Sequence, residues 1–558
     1  MYVHEVIART LDEMGVDTIF GLIGDGNLFM VDSYTRTTGG RFISVAHEVS
    51  AVLAASGYSR TTGRLGVASV THGPALTNTV TALIEAVRAR TPLVLIAGDT
   101  AVIDRDNLQK IDQRSIVLPT GAGFEQVRSP ETIPEDFATA FRSAELERRP
   151  VVLNVPADFQ WQEVEYRSPR RRPVIRQSVR PSEDALDAAL GIIASSHRPV
   201  VLAGRGATSA AARAAVLGFA RRIGAPVTTT LQARELFAGE PEDLGIFGTL
   251  STDTAVDAIG QADCVIAFGA ALNRWTTGEG SLLNAKRVVQ VDLDPAALNH
   301  HRTVDAPVIG DATAVADEFV RLLDEVSFKP AAFAARIAEA ASSNTGSSNT
   351  GSSNTCSSNT GTSGMAVPAS QQPGVLKINE ALRLVNHAFP AERTLVLDAG
   401  RFFHHAAFNV RTGAVNSYVH TLEFGVIGLG MANALGAAAG SPGTPVLMIS
   451  GDGGFMLGGI AEFNSAVRAG LDIVVVIMND KSYGAEYIQF KNKGMSPAIS
   501  TFDWPSFAAV ANALGGIGYA VHTLDELGKA MDDIAHRDRP ALIEIFLDPE
   551  CVPSPYHH

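Results

Sequence analysis

Two aspartates, Asp452 and Asp480, sit in this chain at a spacing that invites chemistry. Asp452 stands in Gly451-Asp452-Gly453-Gly454, directly after the apolar stretch 446–449, and Asp480 follows a second apolar stretch, 473–478, as part of Asn479-Asp480. An amphipathic stretch with Ala461, Ala466 and Val467 on its inward face joins them, so the pattern predicts a strand, a helix and a second strand. Both strands of such a unit open on the same edge of the sheet, which lets the two carboxylates converge. Two hard oxygen ligands beside a glycine-rich turn suit Mg²⁺ holding a diphosphate. A bare Gly-Asp-Gly is also what a tight strand-to-helix turn requires. The pair, not the triplet, carries the reading.

A third carboxylate stands apart from these. Glu48 follows the apolar stretch 42–46 and precedes a small-residue helical stretch, 49–59. A charge at the tip of a buried strand is costly unless it contacts something, although an acid also suits an ordinary helix start. His72 and Asn78 lie in Thr71-His72-Gly73-Pro74-Ala75-Leu76-Thr77-Asn78, after the apolar stretch 65–70. His72 there is either a structural side chain or one that faces a site.

Such residues need a scaffold, and the flanking pattern supplies one. Val3, Val6, Ile7, Leu11 and Met14 recur at helical spacing before Gly15, and a short strand, 18–21, then leads to the loop Leu22-Ile23-Gly24-Asp25-Gly26-Asn27. Strands at 42–46, 65–70 and 93–98 alternate with helical patterns. That rhythm predicts an α/β fold, a parallel doubly wound sheet with its site at the carboxyl edge. Residues 167–182, RSPRRRPVIRQSVRPS, are basic and proline-punctuated; they read as a linker, or as a basic run that docks on an acidic neighbouring domain. A second α/β region starts at Pro199, where Gly204-Arg205-Gly206 either faces a nucleotide or forms a plain turn. Residues 342–361 are four tandem pentapeptides, SSNTG, SSNTG, SSNTC and SSNTG, with nothing apolar to bury, which predicts a flexible linker. A third α/β unit begins near Lys377.

The 558 residues are enough for two to four domains, each with its own core. A net charge of −14 and the lack of a basic patch interleaved with aromatics argue against nucleic acid and anionic membranes as partners. Cys264, Cys356 and Cys551 form no CxxC motif, so neither a disulfide framework nor a zinc site is expected and a reducing cytoplasm fits. The N-terminal stretch MYVHEVIARTLDEMG lacks a basic region followed by an apolar core; no signal peptide or membrane span is expected.

Taken together, Gly451-Asp452-Gly453 and the second strand ending in Asn479-Asp480, followed by Ser482-Tyr483-Gly484, resemble the thiamin diphosphate motif. The run RFISVAHEVSAVLAASGYSRTTGRLGVASVTHGPALTNTVTALIEA resembles the pyrimidine-binding domain of the acetolactate synthase and pyruvate decarboxylase family. The resemblance spans nearly the whole chain except the pentapeptide linker. It implies three doubly wound domains: pyrimidine-binding (1–165), central (185–330) and diphosphate-binding (375–550), with linkers at 166–184 and 331–374. It also implies a homodimer or homotetramer whose active site is shared, Glu48 and Asp452 of one chain serving different sites. Glu48 would hydrogen-bond the cofactor's aminopyrimidine and shift it to the imino tautomer that takes the thiazolium proton. Mg²⁺ would rest on Asp452, Asp480 and the Ser482 carbonyl. Asn78, Gly400, Arg401, Gly425, Gly451, Gly453, Gly454, Asn479 and Tyr483 would border the cofactor, and Ile427 would prop its bend.

The sequence departs from the family pattern in carrying Asn479-Asp480 where Asn-Asn is usual, with one residue more between the strands. Asp480 keeps Ser482-Tyr483-Gly484 in place and is the expected ligand; a shifted register would make it Asn479. The substrate side is mixed. Leu108-Gln109-Lys110-Ile111-Asp112 resembles the acetolactate synthase FQExD segment, whereas Asp25 and Glu486 sit in segments resembling pyruvate decarboxylases. The adjacent histidine pair of those decarboxylases is replaced here by Gln109 and Lys110. The implied activity is decarboxylation of a 2-oxo acid with capture by a second carbonyl; the alternatives are simple decarboxylation to an aldehyde and a noncatalytic cofactor-binding relative. The family's central domain holds FAD, holds ADP or is empty, and Gly204, Gly206, Asn273, Asp292 and Asp294 are the residues that bear on it.

Overall fold

The computed structural model describes residues 1–170, 177–344, 376–550 and 552. Three parallel six-stranded sheets organise it. The first comprises β1 Thr18–Gly21, β2 Arg41–Ser44, β3 Gly66–Val70, β4 Leu93–Asp99, β5 Gly123–Gln126 and β6 Pro150–Pro156, in the order β2-β1-β3-β4-β6-β5. The central one comprises β7 Pro199–Ala203, β8 Val227–Thr229, β9 Asp243–Ile246, β10 Cys264–Phe268, β11 Arg287–Asp292 and β12 Ala306–Ile309. The last comprises β13 Thr394–Leu397, β14 Tyr418–His420, β15 Val446–Gly451, β16 Ile473–Asn479, β17 Ile517–Val521 and β18 Ala541–Phe546, in the order β14-β13-β15-β16-β18-β17. Strand for strand, the third sheet repeats the order of the first. Interior strands such as β4, β6 and β16 are apolar and buried nearly throughout, as sheets covered by helices on both faces require.

The chain divides into two compact units, 1–174 with 364–558, and 175–363. In the first unit the two sheets share one core. The helix Glu48–Thr62 presents Ala54, Gly57 and Tyr58 to the helix Gly430–Gly440, whose facing residues include Asn433 and Gly436. Small side chains bring the backbones close: a Cβ on Gly436 would overlap the Ala54 carbonyl oxygen, and one on Gly57 the Asn433 carbonyl oxygen. This crossing carries Glu48 at its end. Gly436→Ala is expected to lower stability by about 1–3 kcal/mol, as overpacking does, seen as a lower denaturant midpoint with an unchanged slope.

The second unit differs from expectation at its end. The helix Phe333–Asn344 occupies the first part of the 331–374 stretch expected as linker, because Phe333 is buried against the central core and anchors an alanine-rich helical run. The rest of the pentapeptide repeat, and residues 171–176 of the basic run, lie outside the described residues. Among the described residues no helix is long and apolar enough to cross a membrane.

Candidate active site

The unit around Asp452 forms as its sequence pattern predicts, with two adjustments. β15 and β16 pair in parallel, and both end on the edge where Asp452 and Asp480 lie. The connection is two helices, Asp452–Gly458 and Ile460–Ala469, broken at Gly459. The inward face of the second helix is Glu462, Phe463 and Ala466, while Ala461 is exposed.

Asp452 and Asp480 are buried, 2% and 7% exposed. Burial first, and then the charge of Asp480, push the Asp452 carboxyl up to about 7. Burial also raises Asp480, against the pull of the Ser482 hydroxyl and Arg401. Ser482 donates from its N–H and its hydroxyl to Asp480 Oδ1, at 3.1 and 2.8 Å, and Arg401 Nη1 lies 3.8 Å from Oδ2. The turn between is tight: Lys481 adopts φ +57°, and its N–H donates to Asn479 Oδ1. Asn479 itself, the alternative ligand, points the other way and donates to Glu544 Oε1 at 2.8 Å.

The donor set fits a diphosphate with a divalent cation. Arg401 is 6% exposed, donates from Nη1 to the Pro549 carbonyl at 2.9 Å, and has its Nε buried with no acceptor. Two buried carboxylates flanked by one guanidinium call for a further cation, and a buried N–H without an acceptor calls for an anion. The glycines leave the space: a Cβ on Gly453 would overlap the Tyr483 ring, and one on Gly484 would come within 3.0 Å of Arg401 Cδ. Gly454 and Gly428 stack beneath, tied through Asp398, which accepts from the Ala399 and Gly428 N–H groups and from the Thr421 and Ser450 hydroxyls. Gly400 turns the chain next to the Phe402 ring, and Gly451 caps the Asp452 helix. Ile427 is half-buried in the loop above, which Gly425 enters at φ +75° with open space around it.

The sequence gives no hint of Trp504. Its indole Nε1 donates to Asp452 Oδ2 at 3.0 Å, and its ring stacks on Phe502, which in turn meets Tyr483. Gly453 N–H donates to the other oxygen, Oδ1, at 2.8 Å, so both carboxylate oxygens are oriented, each with further acceptor capacity for a cation. Trp504→Phe is expected to weaken Mg²⁺ binding by roughly 10-fold or more, as loss of an outer-shell partner does, measured by Mg²⁺ titration of the thiamin-diphosphate-loaded protein.

The other half of the site lies on the carboxyl edge of the first sheet. Glu48 is the first residue of its helix, and its Oε2 accepts from Asn78 Nδ2 at 3.0 Å. His72 is buried beside Gly26, where a Cβ would come within 2.8 Å of its Nδ1. Gly26 N–H donates to the Thr71 hydroxyl, and Gly73 abuts the Gln109 backbone. Asp25, His72 and Gln109 thus share one edge. Gln113, which sequence reasoning did not single out, ties this edge together: it accepts from Gly73 N–H and donates to the Gly98 carbonyl and to Asn154. Glu486 is exposed on the helix Gly484–Asn492, in the diphosphate half. Among the described residues no hydrogen bond joins the Glu48 group to the Asp452 group of the same chain.

In the central unit the suggested nucleotide residues are used locally. A Cβ on Gly204 would overlap the Gly269 carbonyl oxygen, and Gly206 packs on Gly269 Cα. Asn273 Oδ1 caps Thr276 N–H, Asp292 Oδ1 accepts from Asp294 N–H, and Asp294 Oδ1 from Ala296 N–H.

Comparison with known proteins places this geometry among relatives. Residues 1–116 match the model of the thiamine pyrophosphate enzyme N-terminal TPP binding domain, 186–319 the central domain, and 398–545 the C-terminal TPP binding domain. The chain is 26% identical to the acetolactate synthase large subunit of Haemophilus influenzae over 98% of its own length and 94% of the relative's. It is 28% identical to the acetolactate synthase of Mycobacterium bovis, over 97% and 87% of the two chains. It is equally 28% identical to the sulfoacetaldehyde acetyltransferase of Rhodobacter capsulatus, over 95% and 91%.

Proposed function

Because the chain belongs to the thiamine pyrophosphate enzyme family, in its acetolactate-synthase-like part, we propose that it decarboxylates a 2-oxo acid and transfers the remaining acyl unit to a second carbonyl, with Mg²⁺ as the metal. The observation that carries this reading is the buried pair Asp452 and Asp480 beside Arg401, with its buried unpartnered Nε. Bound thiamin diphosphate supplies the nucleophilic carbon and the electron sink for loss of CO₂.

The chain's own residues bind, orient and handle protons. Asp452, Asp480 and the Ser482 carbonyl hold the metal, and Arg401 faces the diphosphate. Glu48, steadied through Oε2 by Asn78, keeps Oε1 for a proton on the aminopyrimidine ring. Ile427, on the loop that Gly428 N–H ties to Asp398, would support the bound cofactor and hold its orientation. Each site would draw Glu48 and Asp452 from two copies in a homodimer or homotetramer, as the resemblance implies.

Transfer rather than release is supported by Gln109 at the substrate edge, where the histidine pair of the decarboxylases is missing. The relatives are named as a synthase and an acetyltransferase. A second reading, simple decarboxylation, is favoured by one observation: Asp25 adjoins Gly26, which packs on His72, so an acid and an imidazole stand on the same edge. Incubation with pyruvate, thiamin diphosphate and Mg²⁺, with acetolactate and acetaldehyde separated, decides between them. Acetolactate is the expected product; acetaldehyde alone would overturn the transfer reading.

A further inference from the structure

Two buried glutamates outside the site exchange places between the first and third sheets. Glu462, 2% exposed, comes after β15 and the Asp452 helix. It reaches across to the tip of β2, where Oε1 and Oε2 accept from Ala46 N–H at 3.0 and 3.2 Å and Oε1 accepts from His47 N–H at 3.1 Å. Glu85, 3% exposed, comes after β3 and the Asn78 turn. It reaches to the tip of β14, where Oε1 accepts from Glu423 N–H at 3.2 Å and Oε2 from Phe424 N–H at 2.6 Å. In the repeated sheet order, β15 occupies the place of β3, and β14 that of β2. The exchange is therefore reciprocal.

An arginine from the same helix completes each grip on the carbonyl side. Arg468 donates to the Ser44 carbonyl at 3.1 Å, and Arg88 to the Glu423 carbonyl at 3.4 Å with its guanidinium over the Phe424 ring. Arg60 adds a bond to the His420 carbonyl at 2.7 Å. Each gripped tip runs straight into a segment that works in the site. His47 leads directly into Glu48, and Phe424 into Gly425-Val426-Ile427. A carboxylate accepting two successive backbone N–H groups fixes both peptide planes, and so the direction in which the next side chain leaves.

We propose that Glu462 and Glu85 are reciprocal positioning residues: Glu462, carried by the half that holds Asp452, aims Glu48, and Glu85, carried by the half that holds Glu48, sets the loop bearing Ile427. The proposal rests on the roles given above to Glu48 and Ile427. Neither glutamate touches the cofactor. Misplacement by a fraction of an ångström at Glu48 suffices to slow a proton transfer, since the effect is one of orientation.

The test uses the full-length protein loaded with thiamin diphosphate and Mg²⁺, without any 2-oxo acid, and reads two signals. One is the rate at which the C2 proton of the bound cofactor exchanges for deuterium, measured by quenched NMR. The other is backbone amide exchange in peptides covering 44–50 and 421–428. Glu462→Ala is expected to slow C2 exchange by roughly 10-fold or more and to raise amide exchange at 44–50 alone; Glu462→Gln, which keeps the shape and one acceptor oxygen, falls between it and the unsubstituted protein. Glu85→Gln is expected to loosen 421–428 alone. C2 exchange within twofold of the unsubstituted protein in Glu462→Ala, with Glu48→Gln slow in the same assay, overturns the positioning role. If Glu48→Gln is itself as fast as the unsubstituted protein, the Glu48 assignment fails and the role of Glu462 falls with it. Unchanged amide exchange in both peptides overturns the clamp whatever the C2 rate.

Discussion

Glu48→Gln is expected to lower kcat/KM by roughly 10²-fold or more, the loss that attends removal of a general acid, while the protein folds as before. Glu48 is the first residue of its helix, with a side chain 15% exposed, and it accepts a 3.0 Å hydrogen bond from Asn78. Glutamine keeps that bond through its carbonyl oxygen and gives up the proton chemistry. Thermal stabilisation by thiamin diphosphate and Mg²⁺ should survive in large part, because the proposed diphosphate and metal ligands lie on the other sheet. Turnover within a few-fold of the unsubstituted protein would defeat the proposed role, and a noncatalytic cofactor-binding relative would then be the better description.

Asp452→Asn should have the second large effect, on cofactor binding itself. Loss of even an outer-shell partner costs roughly 10–100-fold in metal affinity, so loss of a direct ligand should exceed the upper figure. With the metal goes the linked stabilisation, about 2.7 kcal/mol for a ligand present at a hundred times its Kd. A thermal scan with and without thiamin diphosphate and Mg²⁺ reads this directly, and an undiminished shift in the variant would remove Asp452 from the metal site. The same carboxyl predicts a pH dependence. Its pKa in the metal-free folded protein is raised to about 7 by burial and by Asp480, whereas an unfolded aspartate titrates near ~3.9. The metal-free fold therefore prefers the protonated acid; that contribution to stability is complete below the unfolded value and is lost as pH rises toward 7. Mg²⁺ must displace the same proton, so its apparent affinity should weaken as pH falls below about 7.

Much of the scaffold was legible because its signals are local. Apolar stretches of strand length ending at Asp452, Asp480, Glu48 and His72 mark carboxyl-edge positions through periodicity alone, and β15 and β16 form around the predicted stretches, running on to Gly451 and Asn479. The same reasoning misjudged the helix after Asp452. A pattern of apolar and polar residues turns Ala461 inward and would leave Glu462 to solvent; the structure does the reverse. Glu462 is buried because its acceptors meet Ala46 and His47 N–H groups 416 and 415 residues away, which no local pattern can show. The helix that starts at Phe333 was hidden for a similar reason, since Phe333 is held by a core that forms from distant strands.

Residue types and their spacing were enough to place the candidate groups on one edge: acids, an arginine and glycines at the ends of parallel strands, where a diphosphate and its metal are proposed to bind. Side-chain chemistry and chain geometry over a few tens of residues carry that much. Which groups face one another was settled by packing. Trp504, 52 residues from Asp452, supplies its hydrogen bond; Asn479 is held by Glu544, and Asp480 lies beside Arg401. The reciprocal glutamates couple the two sheets that share the work. Such pairings depend on how separate elements meet, and that is a property of the whole fold.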